Sequence, residues 1–163
     1  AKINKIYESE GKPNTLVHVS YAFARELKPY LTSAIYHDAD TKLKQLQKFK
    51  DQGGILIASG MAEGVDLPGD LCRLIIIPLL LFPNKGDQAV YKRMALPGGQ
   101  KWYNLTTIMT TLQQCGRGVR GATDSCNTYV FDYYFAGLIG STREYLTKGF
   151  ISSIDWINKR KEV

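Results

Sequence analysis

Residues 55–77 read ILIASGMAEGVDLPGDLCRLIII. The runs Ile55-Leu56-Ile57-Ala58 and Leu74-Ile75-Ile76-Ile77 contain no polar side chain. A strand with one wet face alternates apolar and polar residues, because successive side chains point to opposite sides. Two short runs without alternation are expected when both faces of a parallel sheet are covered. Thr15–Val19 (TLVHV) is a further β-rich run, and Ser20 stands where a helix N-cap is wanted. Phe23, Leu27 and Tyr30 then recur at helical spacing. Ala34–Tyr36 reads as another short strand. Asp40 is placed to cap a helix with Leu43, Leu46 and Phe49 on its apolar face, and Gly53-Gly54 ends that helix. Downstream, Trp102, Leu105, Ile108/Met109, Leu112 and Cys115 mark one face of a long helix. Thr128–Phe131 is a last strand, and Ser141 with Glu144 has capping-box spacing for one more helix. Strands separated by helices predict an α/β fold with a mainly parallel central sheet. Ligands of such sheets meet the loops beyond the carboxyl ends of strands, here those after Val19, Ala58 and Phe131.

The bulk properties fit one soluble domain. The chain has 163 residues, 44% hydrophobic and 22% charged, an ordinary globular balance. No apolar run reaches the roughly 18 residues a membrane helix needs; the longest, Leu74–Pro83, is broken by Pro78. Ala1–Gly11 is polar and has no signal-peptide core. Cys72, Cys115 and Cys126 are odd in number and lack CxxC spacing, which argues against a disulfide framework or a zinc site and for reduced thiols in the cytoplasm. A net charge of +6 and a pI near 9.2 permit an anionic partner such as nucleic acid.

Two segments have the composition of a ligand site. Residues 58–73, ASGMAEGVDLPGDLCR, follow a strand with small polar residues and glycine. Glycines allow backbone amides to approach a phosphate closely. Asp66 is placed either to accept a hydrogen bond from a sugar or to organise the turn. Residues 113–124, QQCGRGVRGATD, hold Arg117 and Arg120 three apart among Gly116, Gly118 and Gly121. On a helical turn the two guanidiniums share a side and could be aimed at a phosphate. Gly116-x-Gly118-x-x-Gly121 also spells the dinucleotide fingerprint, which has meaning only directly after a strand. His37-Asp38-Ala39-Asp40 offers too few donors for a metal site. No nucleophile triad stands out. Neither a GxxxxGK[S/T] phosphate loop nor an Asp-Glu pair after an apolar strand is present, so the chain is not a self-sufficient NTPase of that kind.

In order and spacing, GMAEGVDLPGDLCRLIII, FPN at 82–84 and QQCGRGVRGATD resemble motifs V and VI of XPD/DinG-type superfamily 2 DNA helicases. NTLVHVSYAFAREL at 14–27 resembles their motif IV, and WYNLTTIMTTLQQ the helix leading into motif VI. The resemblance covers nearly the whole chain. It implies a RecA-like three-layer domain, residues 1–163 being the C-terminal (second) motor domain of a longer polypeptide. ATP and Mg2+ would be held mainly by a missing first domain, and any iron–sulfur cluster would lie outside this segment. Gln113, Arg117 and Arg120 would face the nucleotide, the arginines as fingers, with Gly64, Asp66 and Gly116 lining its cleft. Ser20, Tyr21, Ser59, Gly60 and Met61 would lie along single-stranded DNA. The implied partners are that DNA and the first RecA-like domain, with no membrane; the implied location is the cytoplasm, associated with the nucleoid or nucleus. A stand-alone nucleic-acid or nucleotide binding module and an unrelated cofactor enzyme are the alternatives.

Overall fold

The computed structural model describes residues 2–61, 67–119 and 124–157. Gly64, Asp66, Arg120 and Gly121 lie outside the described residues. Strands β1 (Thr15–Val19), β2 (Ile55–Ser59), β3 (Leu74–Ile77) and β4 (Asn127–Val130) form a parallel sheet in the order β2-β1-β3-β4. Helices α1 (Lys2–Ser9) and α2 (Tyr21–Leu27) cover one face, where Ile3 and Ala24 meet Val17, Val19, Ile57 and Ile76. Helix α3 (Lys42–Gln52) covers the other, setting Leu46 and Phe49 against Leu16, Leu56, Ile75 and Ile77. Helices α4 (Gln88–Met94), α5 (Gly99–Cys115), α6 (Phe135–Thr142) and α7 (Lys148–Ser152) complete the described residues. Leu80, Ile108, Phe135, Leu138 and Ile139 make a satellite core between α5, α6 and the loop after β3. Every residue of β1, β2 and β3 is buried, as the unbroken apolar runs demand. This is the RecA-like three-layer arrangement.

Several local expectations change. Ala34–Tyr36 contributes one parallel bridge, Ile35 to Leu56, in place of a strand. Its amide donates to Ile55 O and its carbonyl accepts from Ile57 N. Asp40 does not cap α3; Thr41 takes that position. The Asp38 carboxylate accepts from Thr41 N at 2.8 Å and from Thr41 Oγ1 at 2.7 Å, closing the turn instead. Leu43 is exposed, while Leu46 and Phe49 are buried. In α5 the buried side is Tyr103, Thr107, Ile108, Thr111 and Gln114, with Met109 outside. Thr107 Oγ1 donates to Tyr103 O and Thr111 Oγ1 to Thr107 O, so these hydroxyls enter the interior already bonded to their own helix. Ser141 lies inside α6 and starts no helix: its hydroxyl donates to Leu138 O, and Glu144 falls in a 3-10 turn.

Asn14 organises the amino edge of the sheet. Its Oδ1 accepts from Gly54 N at 3.0 Å and its Nδ2 donates to Asp70 O at 2.7 Å. Its carbonyl accepts from Arg73 N and Leu74 N. One side chain therefore ties the turn before β2 to the segment before β3. Within β1, His18 is fully buried and neither ring nitrogen has a hydrogen-bond partner among the described residues. Burial, and secondly the charge of Arg117, hold its pKa down to about 3.

Asn14→Ala removes both side-chain bonds and should lower unfolding free energy by about 1–3 kcal/mol in urea titrations; unchanged stability would remove Asn14 from this role. His18 makes stability depend on acid. The unfolded chain takes up its proton near the ordinary 6.5, the folded chain not until about 3. The contribution is whole above the first value and falls away as pH drops toward the second. His18→Leu should therefore flatten the loss of stability across that window, read by denaturation at stepped pH; an unaltered slope would mean the folded domain accepts the proton.

Candidate functional site

The carboxyl ends of β1 and β2 finish side by side, Val19 opposite Ser59. Ser20 accepts from Phe23 N at 3.2 Å and starts α2, which leaves Ser20 and Tyr21 exposed at this edge. Tyr21 lies against Gly60, where a Cβ would sit 3.2 Å from a ring carbon, and Gly60 has φ +60°. Both facts favour glycine. Ser59 and Met61 are buried, Met61 beside Leu16 and Phe49 in the core, which leaves Gly60 as the exposed residue of the three. The edge also gathers residues whose role the sequence left open or overlooked. Ser59 N donates to His37 Nε2 at 3.2 Å, which leaves His37 Nδ1 as the nitrogen that donates to Asp38 O at 2.9 Å. The His37 ring meets Tyr21 edge-on at 5.8 Å. Lys42 Nζ donates to Gly60 O at 3.0 Å and brings a cation there. His37 is thus a structural support for the strand end and no metal ligand; among the described residues no group of His, Cys, Asp and Glu could hold a metal ion.

The arginine turn sits at the opposite edge. After α5 the chain makes a 3-10 turn, Gly116–Gly118, on its way to the start of β4. The turn itself therefore lies away from the carboxyl ends, although the charge of Arg117 is felt at His18, the residue before the end of β1. Gly118 is buried, and a Cβ there would lie 2.5 Å from Cys126 Sγ and 2.7 Å from Cys72 O. Gly116 has open space around it, so close packing explains only one of the two glycines. Gln113 is exposed, Arg117 half-buried, and Gln114 fully buried with neither amide atom hydrogen-bonded among the described residues. The fingerprint GxGxxG follows helix α5, which removes the strand that a dinucleotide site requires.

Below that turn all three cysteines are free, Cys72 buried and the other two partly so. A hydrogen bond from Cys126 holds the Cys72 thiol below its usual range and raises that of Cys126, while burial pushes Cys115 up to about 11. None has the exposed, electropositive setting of a nucleophile. Arg73 joins the two segments. Its Nε donates to Asp70 Oδ1 at 2.9 Å, its Nη1 donates to Ser125 O at 2.9 Å, and Asp124 Oδ1 lies 3.9 Å from that nitrogen. Segment 58–73 thus leaves β2 at the edge holding Tyr21 and Gly60, and arrives at β3 beside Gly118.

Residues 14–150 match the helicase C-terminal domain family. No curated protein matches the sequence at significant similarity. Among solved structures, one of apo XPD superposes with a TM-score of 0.69 at 19% identity, over 87% of this chain and 33% of that one. This chain thus spans 33% of the length of that protein, and the likeness is one of fold. The family match covers most of the sequence, including the strand edge at Ser20–Tyr21, the segment 58–73 and the arginine turn. The chain belongs to the helicase C-terminal domain family.

Proposed function

We propose that this helicase domain is the second motor half of an ATP-dependent DNA helicase, working with a first RecA-like domain in the same polypeptide. The observation that carries the reading is the course of segment 58–73. It starts at the edge of Ser20, Tyr21 and Gly60 and ends packed, through Cys72, beneath the turn of Arg117. A motor must let a nucleic-acid contact and a nucleotide contact feel each other, and one short covalent segment touching both edges is a direct way to do it.

In this proposal the turn Ser59-Gly60-Met61, through its exposed Gly60, follows the backbone of single-stranded DNA together with Ser20 and Tyr21. Amides and small polar groups suit a track that ignores sequence, and the net charge of +6 favours a polyanion. Gly116, with Gly64 and Asp66, borders the nucleotide. Gln113, exposed on the last turn of α5, and Arg117 and Arg120 face ATP, whose phosphates and Mg2+ are held mainly by the first domain. No iron–sulfur cluster is assigned to this segment. The protein would act in the cytoplasm, at the nucleoid or in the nucleus. Hydrolysis builds negative charge on the departing phosphoryl group, and an arginine supplied from outside the nucleotide-binding domain is worth roughly 10³–10⁵ in rate. A lysine would not replace it, because it lacks the planar fork that grips two oxygens.

In the full-length enzyme, Arg117→Ala or Arg120→Ala should remove most DNA-stimulated ATP turnover, roughly a thousandfold, and leave the affinity for single strands almost unchanged. Arg117→Lys should recover little. The readouts are steady-state turnover with and without single-stranded DNA, beside a binding titration. Turnover near the parent level in both alanine variants would return the arginines to ordinary surface charges. Gly118→Val should behave differently, losing stability as well as turnover, since its side chain would strike Cys126 and the Cys72 carbonyl.

A further inference from the structure

We propose that Tyr133 and Tyr134, backed by Phe82, form a stacking platform for the bases of single-stranded nucleic acid; this rests on the motor reading and assigns that partner a second contact. Tyr133 is 91% exposed and Tyr134 66% exposed. Large aromatics left this open cost solubility, and here they stand side by side. Tyr133 meets Tyr134 edge-on at 5.9 Å, and Tyr134 meets Phe82 edge-on at 6.4 Å. An edge-on pair leaves ring faces uncovered, which is the surface a base needs.

The platform is held in place. The Asp132 carboxylate accepts from Leu80 N through Oδ2 and from Tyr134 N through Oδ1, each at 2.8 Å. One side chain therefore clamps the loop after β3 to the loop after β4. Phe82 is stacked on Tyr103 at 5.5 Å, and the Tyr103 hydroxyl donates to Pro83 O. Rings fixed in this way lose little further freedom on binding. A cation accompanies them: Lys85 Nζ lies 5.0 Å from the Tyr103 ring centre. Aromatic faces with interleaved positive charge fit a polyanion that carries flat apolar bases.

Position supplies the remaining argument. Both loops leave the carboxyl ends of β3 and β4, the same sheet edge that bears Ser20, Tyr21 and Gly60. Two strand spacings separate β1 from β4, about 10 Å, so one short stretch of single strand can span both. Small groups at one end would hold its backbone, and the tyrosines at the other would hold its bases.

The two contacts respond to different parts of the ligand, which makes them separable. The experiment is fluorescence anisotropy on the full-length chain, with an oligothymidylate and an oligonucleotide of equal length carrying several abasic sites. The parent should bind the abasic strand more weakly. Y133A/Y134A should lose about tenfold or more on oligothymidylate, lose almost nothing on the abasic strand, and keep the salt dependence set by phosphate contacts. Y133F/Y134F should bind like the parent, and Y133L/Y134L, which keeps bulk without a ring, like the alanine pair. Exposed positions make misfolding a small concern, and a melting curve of each variant checks it. If the parent binds the single strand and the alanine pair matches it on both ligands, the platform is overturned and the motor reading stands. If the parent binds no single strand, the motor reading falls and the platform with it. An alanine pair that instead loses association with another protein domain, with base dependence intact, would make this patch a protein contact and overturn the platform.

Discussion

In a parallel sheet every strand ends at the same edge, so the chain must travel back across the domain before each new strand begins. That constraint arranges the rest of this molecule. Between β2 and β3 the return is made by residues 60–73, without a long helix in its described part. Between β3 and β4 it is made by the seventeen residues of α5. Both returns arrive at the amino edge, where the Cys72 carbonyl and Cys126 sit against Gly118 and where Asn14 and Arg73 bind the arriving segments together. The carboxyl edge keeps the departing loops: Ser20–Tyr21, Gly60, the turn after Ile77 and the turn after Val130. Two edges with different chemistry follow from topology alone. One is lined by small polar groups and exposed rings, the other by the arginine turn.

The sheet was legible in the sequence because its strands are too apolar to be anything wet. The helices were legible where their buried side was apolar and obscure where it was not. In α5 the inward residues include Thr107, Thr111 and Gln114, which hydropathy reads as outward. The threonines defeat that reading because each hydroxyl is satisfied by the carbonyl one turn back. Helix α4 went unread although Asp87 carries its cap, accepting from Ala89 N and Val90 N. Thr147 likewise caps α7 through Phe150 N. Those signals lay in the sequence, but the helices are short and bury no residue fully, so no apolar stripe called attention to them.

The site divides in the same manner. Motif residues such as Gly60, Gly116 and Arg117 could be proposed from the sequence because their spacing within one segment carries the pattern. His37, Lys42 and Arg73 were not, because each acts on a partner far along the chain: His37 on Ser59, Lys42 on Gly60, Arg73 on Ser125. Local pattern cannot encode a contact that only the closed sheet creates. Asp132 is of the same type, serving two loops through separate oxygens.

Polar groups in the interior sharpen the distinction between what folds the domain and what it is for. His18 and Gln114 are completely buried without hydrogen-bond partners among the described residues, and such a group costs about 1–3 kcal/mol. An apolar residue of similar size would serve the core better at either position. Both stand close to the arginine turn: Gln114 is in the last turn of α5, and His18 feels the charge of Arg117 strongly enough for its basicity to fall further. A neutral imidazole suits that place, because a protonated one would oppose the guanidinium inside a medium that screens poorly. The domain thus tolerates buried polar groups beside the arginine turn, as it does at Ser59 Oγ on the carboxyl edge, because the all-apolar strands around them supply the core.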